Sequence, residues 1–102
     1  MADCATEADG LMAWNMGADL VGTTMSGYTV ETETDAEGPD FPLIDRLAKR
    51  GCRVVAEGRF RTPQQAAQAL RHGAFCVTVG SAITRIEHIT GWFAHAMSKV
   101  QS

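Results

Sequence analysis

One unit is written repeatedly along this chain: a capped helix, a glycine that stops it, a short apolar strand, and a loop rich in Gly, Ser and Thr. Strands that are apolar without alternation are buried on both faces, and when helices separate them they pair in parallel under a helical cover. The repeat therefore restricts the chain to the α/β class. The first helix starts at Thr6, whose hydroxyl can cap the N–H of Asp9, and stops at Gly17 before a strand over 19–24. The second begins near Pro39, turns Phe41, Leu43, Ile44 and Leu47 inward, and ends at Gly51 before a strand over 52–57. In the third, Thr62, Pro63 and Gln65 supply a cap, a preset φ and a capping-box partner. Its buried face is Ala66, Ala67, Ala69 and Leu70, with Gly73 as the stop and a strand over 74–79. Thr84 with Glu87 then opens a last helix striped by Ile86, Ile89, Phe93, Met97 and Val100.

Two places break the pattern. Met1-Ala2-Asp3 reads as the tail of a strand, because a helix cap follows it at once. Residues 25–38 form a long irregular stretch that carries Glu31, Glu33, Asp35 and Glu37. Such a segment is either a functional loop or, over 30–37, an acidic tract without fixed structure, and both readings stand.

With 102 residues, 45% of them hydrophobic, the chain can build one core and no second domain, so residues 1–102 form a single domain. The net charge of −3 and the scatter of the nine Lys and Arg exclude a nucleic-acid partner. Short apolar runs and a first stretch without a basic, then apolar, signal point to a cytoplasmic protein with no membrane partner. Cys4, Cys52 and Cys76 form no CxxC pair and no Cys/His cluster, so no metal is expected. Cys52 and Cys76 lie among apolar residues and read as buried, structural thiols.

Parallel α/β architectures gather ligands at the C-terminal ends of their strands. Three sets of residues stand there: Thr23 to Tyr28, Glu57-Gly58-Arg59, and Gly80-Ser81. Two consecutive strands ending in glycine loops suit a phosphate group, because glycine lets backbone N–H groups approach an anion. Ser81, Arg59 and Arg85 would add donors; alternatively the glycines are turn residues and the arginines are solvated. Glu57 ends an apolar strand beside a glycine, where partial desolvation would suit acid/base work; a structural ion pair with Arg53 or Arg59 is the alternative. His72, His88 and His95 lie on helices, and surface or packing roles are expected for them; Trp14, Trp92 and Phe93 fit helix packing.

The ordered set Met1-Ala2-Asp3, Gly22-Thr23-Thr24-Met25-Ser26-Gly27-Tyr28-Thr29, Gly38-Pro39-Asp40, Val55-Ala56-Glu57-Gly58-Arg59, Thr62-Pro63 and Val79-Gly80-Ser81-Ala82-Ile83-Thr84-Arg85 resembles the N-acylglucosamine-6-phosphate 2-epimerase family, also called N-acetylmannosamine-6-phosphate epimerase. The resemblance runs over essentially the whole chain and implies the C-terminal half of a (β/α)8 TIM barrel. It implies an isomerase of sialic acid and amino sugar breakdown that interconverts N-acetylmannosamine 6-phosphate and N-acetylglucosamine 6-phosphate, with no metal or redox cofactor. It assigns Glu57 as the catalytic glutamate, Gly58, Arg59, Gly80, Ser81 and Arg85 to the phosphate, and Thr24, Ser26 and Tyr28 to the sugar pocket.

The resemblance also implies a catalytic lysine, and an aspartate and an arginine that hold substrate, on earlier strands absent from this chain. Lys49 and Lys99 lie on helices and cannot replace that lysine. A full barrel takes about 250 residues, or at least roughly 200. Met1 is thus expected to coincide with an internal methionine of the family pattern, as in a truncated or misassigned reading frame. Open strand edges favour either a homo-oligomer or the missing N-terminal half-barrel as partner, and the fragment is expected to be inactive alone. Two other readings are a non-catalytic module that binds a phosphorylated amino sugar, and another phosphate-binding barrel such as a thiazole synthase or an FMN-dependent enzyme. The G-T-T-M-S-G-Y-T run argues against the last.

Overall fold

The computed structural model describes residues 1–34 and 38–101. Asp35 and Glu37 of the acidic tract lie outside the described residues. The elements run β1 (Ala2–Asp3), α1 (Glu7–Asn15), β2 (Val21–Gly22), α2 (Phe41–Lys49), β3 (Val54–Glu57), α3 (Pro63–Arg71), β4 (Cys76–Thr78), α4 (Ser81–Thr84) and α5 (Ile86–Gln101). The four strands form one parallel sheet in the order β1-β2-β3-β4, with Ala2 opposite Val21, Val21 opposite Val54, and Val55 opposite Cys76. This is half of a (β/α)8 barrel, as the resemblance implies, and of the α/β class that the repeat predicts. The opening Ala2 and Asp3 are indeed strand, and the ladders themselves are shorter than the apolar runs around them.

Local chemistry sets the helix bounds. The Thr6 hydroxyl accepts from Asp9 N–H, and Thr62 with Gln65 forms a complete capping box. The second helix differs by a turn boundary from the expectation. Asp40 is its cap, accepting from Leu43 N–H, and Pro42 rather than Pro39 occupies the first turn, where a missing N–H costs nothing. The last helix is also divided. Thr84 does not cap it; its hydroxyl bonds back to Gly80 C=O, and Arg85, at φ −110° and ψ 88°, breaks α4 from α5.

Leu43, Ile44, Leu47, Val21 and Val54 are fully buried, and Cys4, Cys52, Phe60 and Ala69 complete the core between the helices and the inner strands. Gly10 in mid-helix permits the approach of α1 to α2, since a Cβ there would lie 2.7 Å from Leu47 Cδ2. Burial fades toward β4. Cys76, expected to be buried, is exposed because β4 is an edge strand, and Leu70 of α3 is exposed beside it. The stripe Ile86, Phe93, Met97 and Val100 of α5 also faces outward, and among the described residues α5 makes its main contacts with α4. No helix among the described residues is long and apolar enough to cross a membrane.

Candidate active site

The loops after β2, β3 and β4 meet at one end of the sheet around an open cleft of about 360 Å³, within the range of small-ligand pockets. Its walls include Thr24 and Tyr28 from the first loop, Glu57, Gly58 and Arg59 from the second, and Gly80 and Ser81 from the third. Seven of the nine sequence-selected residues are therefore brought together.

Glu57 is held at two levels. Its backbone is fixed by buried Thr23, whose hydroxyl donates to Glu57 C=O at 3.0 Å and accepts from Glu57 N–H at 3.1 Å. Its carboxylate is aimed by Thr24, whose Oγ1 lies 2.7 Å from Glu57 Oε2 and 3.1 Å from Asp3 Oδ1. One hydroxyl has one proton, so Thr24 donates to a single carboxylate at a time, and the shorter contact favours Glu57. A structural ion pair with Arg53 is not what holds Glu57, since the Arg53 guanidinium lies over the Phe75 ring at 5.8 Å.

The turn after β3 is strained. Gly58 has φ +109° and Arg59 follows at φ +63°, a region that costs a side-chain-bearing residue about 1–3 kcal/mol. That turn brings the Arg59 guanidinium against Gly27, where a Cβ would stand 3.0 Å from Nη1. Gly27 itself has φ +88°, so both space and backbone require glycine there.

Two selected residues stand elsewhere. Ser26 is buried and donates to Asp40 Oδ2 at 2.5 Å, in a neighbouring cleft that also holds Thr32, Glu33 and Arg46. It braces the irregular loop against the cap of α2. Arg85 lies outside the cleft and pairs with Glu87 at 2.6 Å, which, after the glutamate's own backbone N–H, holds the Glu87 carboxyl below its ordinary range.

Other residues at the cleft were missed from sequence. Asp3 reaches the site through Thr24, a role that a two-residue strand at the chain's start gave no reason to expect. Arg61, His88 and Trp92 also line the cleft. Trp92 carries the Arg61 guanidinium 4.7 Å over its ring, and so does not serve helix packing alone. His72, by contrast, stacks on Phe41 and lies 3.6 Å from Asp45, which fits the packing role expected of it. Among the described residues no group of three or more His, Cys, Asp or Glu could hold a metal ion.

The family described as "Putative N-acetylmannosamine-6-phosphate epimerase" matches residues 1–99. A relative from Shigella dysenteriae serotype 1, named "Putative N-acetylmannosamine-6-phosphate 2-epimerase", is 58% identical over 99 residues, covering 97% of this chain and 42% of the relative. One of the same name from Salmonella agona is 56% identical over 102 residues, covering 100% of this chain and 44% of the relative. The chain thus spans less than half the length of these curated relatives. The solved N-acetylmannosamine-6-phosphate 2-epimerase from Clostridium perfringens superposes with a TM-score of 0.89 at 40% identity, over 94% of this chain and 42% of that one. GGGPS from Thermoplasma volcanium, at a TM-score of 0.55 and 21% identity over 76% of this chain and 29% of that one, shares the fold. By its motifs, its half-barrel and these relatives, the chain belongs to the N-acetylmannosamine-6-phosphate epimerase family.

Proposed function

We propose that this chain is the C-terminal half-barrel, a single partial domain over residues 1–102, of a cytoplasmic 2-epimerase that interconverts N-acetylmannosamine 6-phosphate and N-acetylglucosamine 6-phosphate. The observation that carries the reading is Glu57, half-buried at the end of β3, with its carboxylate aimed into the cleft by Thr24. Inverting C2 means removing the proton beside the open-chain aldehyde and returning a proton to the opposite face. Glu57 would serve one face as acid or base. Gly58, Gly80 and Ser81, with Arg59, would receive the phosphate, and Thr24 and Tyr28 would bound the sugar. No cofactor enters this chemistry.

The family resemblance assigns the other face to a lysine on an earlier strand, outside this chain. Neither Lys49, which is paired with Asp45 at 2.8 Å on α2, nor Lys99 on α5 lines the cleft. The absence of a lysine from the cleft also favours a second reading for the chain on its own, a module that grips a phosphorylated amino sugar without turning it over.

The test is to incubate the chain with N-acetylmannosamine 6-phosphate in deuterated water and follow the C2 proton by NMR, alone and with the N-terminal half-barrel of a family relative. The chain alone is expected to be silent, and the reconstituted barrel to exchange. Glu57→Gln should abolish that exchange. Exchange that survives Glu57→Gln would remove Glu57 from the mechanism, and turnover by the chain alone would refute its dependence on a second half.

A further inference from the structure

The cleft has a cationic wall that lies outside the motifs carrying the family resemblance. Arg61 falls between Val55-Ala56-Glu57-Gly58-Arg59 and Thr62-Pro63, and it is anchored at both ends. Its backbone N–H donates to Gln65 Oε1 at 2.8 Å, within the cap of α3. Its guanidinium lies over the Trp92 ring at 4.7 Å, on the first turns of α5. Both side chains line the cleft together with His88, one turn before Trp92, and with Gly80 and Ser81.

A guanidinium stacked on an aromatic face spends none of its N–H groups on that contact, because its five donors radiate in the plane of the group. No carboxylate among the described residues forms an ion pair with Arg61, whereas Arg85 is paired with Glu87. Arg61 is therefore a pre-positioned planar cation with its donors still to be used, in a cleft whose lining contains one carboxylate, Glu57. Planar, seated guanidinium is the geometry that grips a phosphate through two oxygens.

Resting on the reading of this cleft as a phosphosugar site, we propose that Arg61, seated on Trp92, is a specificity-determining residue that makes the cleft select a phosphorylated sugar over the neutral one. His88, also on α5, shares that wall and adds a donor.

Binding to the purified chain tests this without requiring turnover. N-acetylmannosamine 6-phosphate and unphosphorylated N-acetylmannosamine are titrated by calorimetry, with the phosphorus NMR shift as a second readout, at two salt concentrations. Arg61→Gln is expected to weaken phosphosugar binding about tenfold and to flatten its salt dependence. Trp92→Leu, which keeps the charge and removes its seat, should lose an intermediate amount. Arg71→Gln, an equal change of charge at the end of α3 and outside the cleft, should shift affinity less than about twofold. Phosphosugar binding by Arg61→Gln equal to that of the unaltered chain overturns the role of Arg61 and leaves the phosphosugar reading standing, whereas equal binding of both sugars by the unaltered chain overturns both. An unaltered chain that binds no phosphosugar refutes that reading, and the role of Arg61 with it.

Discussion

Thr23→Val exchanges one hydroxyl for a methyl in a side chain of nearly the same shape, and it tests how the end of β3 is held. Thr23 is 3% exposed and makes two hydrogen bonds to the backbone of Glu57, at 3.0 Å to the carbonyl and 3.1 Å from the N–H. Each such bond contributes about 1 kcal/mol net, and a buried backbone group left unpaired costs about 1–3 kcal/mol. With the β3–β4 ladder sharing part of the load, the loss should be about 2–4 kcal/mol, a large part of the roughly 5–15 kcal/mol that holds a domain together. Urea unfolding, at about 1–3 kcal/mol per molar denaturant, should place the midpoint about 1–2 M lower with an unchanged slope. Thr23→Ser, which keeps the hydroxyl, should lose less than half as much. Thr24→Val should change stability by under about 1 kcal/mol, because its hydroxyl serves side chains in an open cleft. A midpoint shift below about 0.3 M for Thr23→Val would show that the two bonds do not fix this strand end.

Gly10→Ala should destabilise by about 1 kcal/mol in the same assay, since the gain in helix propensity is outweighed by a Cβ 2.7 Å from fully buried Leu47 and 3.2 Å from Val21; a more stable variant would mean that α1 moves away without cost. Cys76 should be alkylated first and fastest, because it is exposed while burial shields Cys4 and Cys52 and pushes both thiols up, with Asp9 and Asp3 adding to the effect on Cys4; mass spectrometry of a time course that found Cys52 labelled first would contradict the burial. Hydrogen bonding to Lys49, then the Lys49 charge and His72, hold the half-buried Asp45 carboxyl below its ordinary range. Its small contribution is therefore present above the unfolded-state value and lost as pH falls through the depressed folded value. Asp45→Asn should be slightly less stable than the unaltered chain near neutrality and converge with it in acid; a gap that widened in acid would reverse the sign.

Much of the architecture was legible because its signals are local. Thr6, and Thr62 with Gln65, cap through hydroxyl and amide groups whose partners lie three residues away, and Gly17, Gly51 and Gly73 all adopt the positive φ that ends a helix. Asp40 in place of Pro39 was a contest between two adjacent start signals, won by the side chain that could accept from Leu43 N–H. The cleft was legible as far as strand ends predict it. Ser26 and Arg85 are in register with the motifs but turn to Asp40 and Glu87, partners that spacing along the chain does not rank. Asp3, Arg61 and Trp92 depend on contacts between elements far apart in sequence, and an arginine over a tryptophan thirty-one positions away leaves no periodic trace. The burial expected of Cys76 and Leu70 failed for a different reason: it presumes a neighbour on both sides of each unit, and β4 is an edge.

The sheet order β1-β2-β3-β4 repeats the order of synthesis. Each strand docks only on its predecessor, so a chain leaving the ribosome can assemble unit by unit without waiting for a distant partner. The slowest closure should be between β2 and β3, which are separated by the irregular loop and α2, and which bring Val21 beside Val54. Once that pair forms, the fully buried residues are nearly all in place, and β4 with α5 adds to an existing edge. Growth of this kind should proceed strand by strand along the sheet, with the cleft, which needs the loop after β4, finished last.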